Sequence, residues 1–150
     1  MAERIDTDIC VIGGGSGGLS VAAGAAQMGA RVVLLEGGEM GGDCLNYGCV
    51  PSKSLIAAAH AAHQVRSSAR FGVDVAAPDI DMTAVRDHVR SVIASIAPHD
   101  SQERFEALGV RVIRAWGKFA SPRTVVAGDA EIHARRFVIA TGSSPLVPPI

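Results

Sequence analysis

Cys44 and Cys49 stand five residues apart in the segment GGDCLNYGCVPSK, which runs from Gly41 to Lys53. A close pair among Gly, Asp and Asn, outside any apolar run, points to thiol-disulfide chemistry rather than packing. An ideal helix rises about 1.5 Å per residue, so five residues would hold the two Cα atoms about 7.5 Å apart, beyond the usual disulfide range. A regular helix therefore cannot bridge them. Gly48 between the cysteines and Pro51 after them supply the means to bend or delay a helix, whose N-terminus would stabilise a thiolate once such a bridge is reduced. A metal site would need two further ligands, and only His60 and His63 stand near, so no metal is expected. Cys10 lies inside an apolar strand and reads as core.

The second chemical feature is G-x-G-x-x-G at Gly13, Gly15 and Gly18, directly after an apolar strand and at the opening of a helix. The first glycine permits a tight turn, the second lets a pyrophosphate touch backbone, and the third packs helix on strand. Backbone N–H groups at the helix N-terminus would then face negative charge. Glu36 follows Gly18 by 18 residues and ends the next strand, where a carboxylate can accept hydrogen bonds from a ribose diol. These features establish a dinucleotide site without separating FAD from NAD.

The elements that must hold these residues are legible in outline. Asp8 to Ile12 reads as a strand, Leu19 to Met28 as a helix closed by Gly29, and Arg31 to Leu35 as a second strand, together the size of a βαβ crossover. Ser52 to Arg70 is Ala-rich and free of Gly and Pro, which predicts a long helix. A further helix is expected from Met82 to Ala97, N-capped by Asp81 and stopped by Pro98, and a short third one, capped by Asp100 or Ser101, ends at Gly109. Val110 to Arg114 reads as a strand, Thr124 to Ala127 with Glu131 to Arg135 as a hairpin around Gly128-Asp129, and Phe137 to Ala140 as a last buried strand. The fold class is α/β, a Rossmann-like domain over residues 1–150 with a parallel sheet, long helices and a small β-hairpin meander. Pro145 to Ile150, with three prolines, reads as a connection onward.

Composition narrows the function classes. The chain has 150 residues, 48% of them hydrophobic, and a net charge of −1 without a long Lys or Arg run, so nucleic acid is not an expected partner. The apolar stretch Leu19 to Leu35 contains Gln27 and Arg31 and changes pattern midway, so no membrane span is expected. Met1-Ala2-Glu3-Arg4 passes at once into a strand without a leader pattern, and three cysteines do not make a secreted framework. A cytoplasmic setting is expected.

With GGGSGG at Gly13 to Gly18, Glu36, the Cys44 to Lys53 block and ATG at Ala140 to Gly142, the chain resembles the class I pyridine nucleotide-disulfide oxidoreductases over essentially its full length. That family includes dihydrolipoamide dehydrogenase, glutathione reductase and mercuric reductase. The resemblance implies that the dinucleotide is FAD, that NADH or NADPH is the electron donor at a site outside this chain, and that Cys44 and Cys49 pass electrons to a disulfide or metal-ion substrate. Cys49 would be the thiolate nearer the flavin, Cys44 the one that exchanges with substrate, and Lys53 the cation near the flavin's reacting nitrogen. The implied cofactor-binding set is Gly13, Gly15, Ser16, Gly18, Glu36, Gly42, Asp43, Lys53, Gly117, Thr141 and Gly142. Thr141 and Gly142 match a second flavin-contacting turn, and Gly117 matches a contact to the adenine end.

Two positions depart from the family pattern. Asp43 replaces the Thr common before the first cysteine, and Tyr47 stands where smaller residues are usual. Asp43 would repel a pyrophosphate unless it caps the helix or contacts ribitol hydroxyls, and Tyr47 could narrow access to the cysteines. Both favour the mercuric-reductase branch over the lipoamide branch. Family members are several times longer, with nicotinamide and interface domains that match nothing here, and they form homodimers. The chain by itself is therefore expected to bind FAD weakly and to lack turnover. A stand-alone nucleotide-binding or redox-sensing module, and an NAD-dependent dehydrogenase with incidental cysteines, are the alternatives.

Overall fold

A computed structural model of the chain describes residues 2–144 and 146–150. Met1 and Pro145, which enter the readings of the two termini, lie outside the described residues. The apolar run at Ile9–Ile12 forms the carboxyl end of strand β1 (Glu3–Ile12). A glycine turn leads into helix α1 (Ser16–Gln27), and Gly29 reverses the chain at φ +83° into β2 (Val32–Leu35). Helices α2 (Gly42–Asn46), α3 (Cys49–Arg66), α4 (Met82–Ile96) and α5 (Gln102–Ala107) follow, then strands β3 (Arg111–Ile113), β4 (Gly117–Ser121), β5 (Thr124–Ala127) and β6 (Ala130–Ile139). No helix among the described residues is long and apolar enough to cross a membrane.

The strands form one sheet in the order β3-β2-β1-β6-β5-β4. The first four are mutually parallel, and β5 and β4 extend the sheet antiparallel from β6. Both faces are covered, because successive strand residues point to opposite sides and both sets are apolar. Val11, Val32 and Leu34 meet Leu19 and Ala22 of α1 and Phe105 of α5, whereas Cys10, Ile12, Val33 and Leu35 meet Val125 and Ile132 of the antiparallel end. The sheet must curl to allow this. A Cβ built on Gly117 of β4 would lie 2.7 Å from Leu35 Cδ1 of β2, although three strands separate the two in sheet order.

Several boundaries differ from the sequence reading, each for a tertiary reason. β1 begins at Glu3 rather than Asp8, since its polar first half pairs with β6 from Glu3↔Ala130 onward. The hairpin strand and the last buried strand are one strand, β6, which pairs with β5 at its start and β1 throughout. α1 begins at Ser16, taking two glycines into its first turn, because Gly18 packs on the backbone of Gly13 and on Val11. α3 begins at Cys49 and ends at Arg66, with a separate tight turn at Ser68–Phe71. Neither α2 nor β4 was foreseen. The Asp81 carboxylate caps α4 as expected, accepting from Thr83 and Ala84 N–H, and Ser101 caps α5. α4 ends at Ile96, just ahead of Pro98 as expected, and a separate, tighter turn follows at Ala97–Asp100.

Candidate functional site

The carboxyl ends of β1 and β2 lie side by side, and the turn between β1 and α1 rises above them. The Gly13 N–H donates to Leu35 O at 2.8 Å, and Ala140 N–H donates to Ile12 O at 2.8 Å, so β2 and β6 hold the turn from both sides. Gly13 has φ +110°, and a Cβ there would stand 2.2 Å from Ala140 O. Only glycine lets β6 approach this closely. At Gly18 a Cβ would fall 1.8 Å from Gly13 O. Gly15 differs: its Cβ would meet only Gly42 Cα, at 3.8 Å. The fold itself therefore tolerates a side chain at Gly15, and the space such a side chain would enter belongs to the adjoining cavity.

That cavity, of about 610 Å³, is lined by Gly13, Gly15, Glu36, Gly42, Asp43, Thr141 and Gly142, together with Gly38, Glu39, Tyr47, Trp116 and Ala140 through Ser144. Its volume lies within the ordinary range of ligand sites. Seven of the eleven residues in the implied cofactor-binding set thus converge from three connections: the β1-α1 turn, the β2-α2 loop and the segment after β6. Gly117 lines a smaller neighbouring cavity with Trp116, Glu36 and Thr141. Ser16 and Gly18 open α1 but do not form the cavity wall, and neither do Cys44, Cys49 or Lys53.

The wall suits an anion flanked by a polar group. α1 has Gly15 as its N-cap, with no side-chain cap and no acidic residue in its first turn, so its leading N–H groups remain open to a ligand. Glu36 accepts from Gly14 N–H through Oε2 and from Gly38 N–H through Oε1, each at 2.5 Å. Each carboxylate oxygen keeps a lone pair for a further donor. Gly42 at φ +57° lies against Gly15, where a Cβ would stand 2.8 Å from the Gly15 Cα, and the Gly41 N–H donates to Gly14 O at 2.9 Å. Those contacts carry the start of α2 onto the glycine turn.

The two cysteines occupy different helices. Cys44 is in α2, Tyr47 and Gly48 break the path, and Cys49 is the first residue of α3. The break is tight: Tyr47 and Gly48 N–H both donate to Asp43 O, at 2.9 and 2.6 Å, and a Cβ at Gly48 would stand 2.7 Å from Asp43 Oδ2. Pro51 falls in the first turn of α3, where no N–H is needed. All three cysteines are free thiols. The Cys44 thiol is raised above the ordinary cysteine value, chiefly by a hydrogen bond with the neighbouring Cys49 thiol and then by burial, while the charge of Lys53 acts weakly the other way. Lys53 is exposed on α3, one turn after Cys49. Burial pushes Cys10, fully enclosed in the core, up to about 12, so it is inert.

Asp43 lies in the first turn of α2, where its charge opposes the helix dipole favourably. The Tyr47 hydroxyl donates to Glu39, which raises the phenol above its ordinary value. Its ring stands between the cavity and an apolar groove lined by Pro51, Leu55, Met82 and Val85. Trp116, Glu39 and Ser143 went unnoticed in the sequence. The chain's one tryptophan sits before Gly117 and covers Gly37, where a Cβ would enter its ring at 2.4 Å. Only the isolation of that tryptophan in a chain with 4% aromatic residues could have signalled it.

Comparison with known proteins agrees with this architecture. The family model described as pyridine nucleotide-disulphide oxidoreductase matches residues 7–150. A dihydrolipoyl dehydrogenase of Arabidopsis thaliana chloroplasts is 34% identical over 98% of this chain and 26% of its own length. Mercuric reductase of Streptomyces lividans is 34% identical over 95% of the chain and 31% of its own length. Among solved structures, the HOCl-induced flavoprotein disulfide reductase RclA from Escherichia coli, in a Cu(II) complex, superposes with a TM-score of 0.75 at 26% identity, covering 95% of this chain and 29% of that one. The chain spans about a quarter to a third of the length of these relatives. With the family's model matched from residue 7 to residue 150, this chain belongs to the pyridine nucleotide-disulphide oxidoreductases.

Proposed function

We propose that this chain is the flavin-binding and redox-cysteine part of an NAD(P)H-dependent flavoprotein disulfide oxidoreductase, which hands electrons through FAD to Cys44 and Cys49 and on to a disulfide or metal-ion substrate. The observation that carries this reading is the cavity in which Gly13, Gly15, Glu36, Gly42, Thr141 and Gly142 meet, with α2, the helix that bears Cys44, starting from its wall. Gly15 and the open N-terminus of α1 would hold the pyrophosphate, and Glu36 the ribose. When bound, FAD would supply the step from a hydride donor to a two-electron disulfide couple.

The chain's own residues supply the thiol chemistry. The break at Tyr47 and Gly48 removes the obstacle that a continuous helix would present to a bond between Cys44 and Cys49. The Cys44 thiol, raised chiefly by its hydrogen bond with the Cys49 thiol, supports a pair that acts together, and the family resemblance would make Cys49 the sulfur nearer the flavin. Lys53 adds a positive charge one turn away. Tyr47, held by Glu39, would limit which substrates reach the pair, in keeping with a mercuric-reductase-like acceptor. The whole protein would be a cytoplasmic homodimer.

The test is the whole protein purified with its flavin. NAD(P)H should bleach the flavin absorbance and create two titratable thiols, and Cys49→Ser should abolish turnover while retaining flavin. A colourless protein, or a Cys49→Ser variant with undiminished turnover, would overturn the proposal.

A further inference from the structure

A second cleft, of about 410 Å³, lies at the opposite end of the sheet. Thr7 and Ala134 on its floor precede Gly13 and Ala140 by six residues of paired strand, about 20 Å at the usual rise. Its rim is cationic, formed by Arg31, Arg123, Arg135 and Arg136 with His133. Asp6 also lines the cleft, but it and the carboxylates nearby are already engaged. Asp6 is bound by Arg4, Asp8 by the Arg31 fork at 3.2 and 3.3 Å, and Glu131 by His133 at 2.7 Å. Arg123 and Arg136 form no ion pair among the described residues, and Arg135 reaches only Asp8, at 3.7 Å. Arg123 and Arg136 therefore face one cleft without a carboxylate partner among the described residues, and Arg135 holds only a long contact with Asp8.

Part of this rim is fixed in advance. Arg136 Nη1 donates to Arg135 O at 2.8 Å, leaving its remaining N–H groups free, and Arg31 is tied additionally to Asp6 O at 3.3 Å. Ala134 N–H donates to Arg123 O at 3.3 Å, which holds the β4-β5 turn against β6. Guanidinium forks match phosphate oxygens in pairs, whereas the lining offers no aromatic platform other than His133 for a base or an apolar body.

We propose that this cleft binds a small phosphate polyanion, recognised through a diphosphate group by Arg123, Arg135 and Arg136, at a site separate from the glycine-turn cavity. The same diphosphate chemistry could come from free pyrophosphate or from a nucleoside diphosphate. The site needs neither the flavin nor the cysteines, so it stands or falls apart from the redox proposal.

The test is calorimetric titration of the whole protein with inorganic pyrophosphate, using protein purified with one bound FAD and freed of excess flavin, so that the glycine-turn cavity is filled and no free diphosphate competes. Saturable binding is expected, and Arg123→Ala with Arg136→Ala should weaken it at least tenfold while leaving the unfolding midpoint unchanged. ADP binding at this site no more tightly than pyrophosphate, by the difference between wild type and the double variant, identifies the diphosphate as the recognised group. Absence of pyrophosphate binding, equal binding by the double variant, or binding confined to single-stranded RNA would each refute the site. Because both arginines are exposed, a folding defect in the double variant is checked separately by Arg123→Lys with Arg136→Lys, which keeps charge but loses the forks and should weaken binding several-fold.

Discussion

The Glu36 carboxylate accepts the Gly14 N–H through Oε2 at 2.5 Å, joining the end of β2 to a turn 22 residues earlier in the chain. Its other oxygen accepts the Gly38 N–H. One side chain thus ties together two of the loops that face the cavity.

Replacing Glu36 by Ala should loosen both loops. A hydrogen bond to a charged group contributes about 1.5 to 3 kcal/mol, so flavin affinity should fall by on the order of tenfold to a hundredfold. Fluorescence titration of the apoprotein with FAD measures this. Unchanged affinity would mean that the carboxylate serves the loops alone.

The three motif glycines should separate folding from binding. Gly13→Ala meets Ala140 O at 2.2 Å from a positive φ and should destabilise by about 3 kcal/mol or more, the combined scale of left-handed strain and overpacking. Gly15→Ala meets nothing closer than 3.8 Å and should fold normally yet lose flavin. Urea unfolding beside absorbance at the flavin band reads both. Equal destabilisation of the two variants would contradict the distinction.

Cysteine reactivity should follow the local causes. Alkylation of the reduced native protein should modify Cys44 and Cys49 and spare Cys10, whose thiol burial holds near 12. In Cys49→Ala the chief cause of the raised Cys44 value is gone, so the pH midpoint of Cys44 alkylation should move down toward the ordinary cysteine range. A midpoint that stays in place would falsify the pairing.

Asp8 should titrate near pH 2, held there first by its hydrogen bonds with Arg31 and then by the charges of Arg31 and Arg135. The folded value is depressed, so its stabilising effect is complete above the ordinary aspartate value of about 3.9 and is lost as pH falls through about 2. Carboxyl-detected NMR follows the midpoint, and Arg31→Ala should move it upward.

Local sequence carried much of the fold. The G-x-G-x-x-G spacing, the apolar strands on either side and the caps at Asp81 and Ser101 are all short-range signals, because each depends on neighbours within a turn or two, and the acid at position 36 follows from its place at the end of the second strand. They were sufficient for the βαβ unit, the α4 and α5 starts and the Gly128-Asp129 hairpin. β4 was missed because Gly117 to Ser121 has little alternation of its own and exists through pairing with β5. α2 was missed because five residues beginning with Gly carry almost no helical propensity; the chain turns there because Gly42 is held against Gly15.

Residue type and spacing alone determined that this chain holds a tight glycine turn between strand and helix and a cysteine pair, since backbone freedom at glycine and thiol chemistry belong to the residues themselves. Tertiary structure decided where the cavity wall runs, that Trp116 and Ser143 join it, and that the cysteines start from two helices instead of one. It also gathered Arg31, Arg123 and Arg136 at one cleft. The split between the cysteine helices depends on Gly48 packed against Asp43 and Gly42 held against Gly15; the cavity wall and the cleft depend on the curl that brings Gly117 onto Leu35 and on the β1-β6 pairing, contacts between segments about a hundred residues apart that no local pattern encodes.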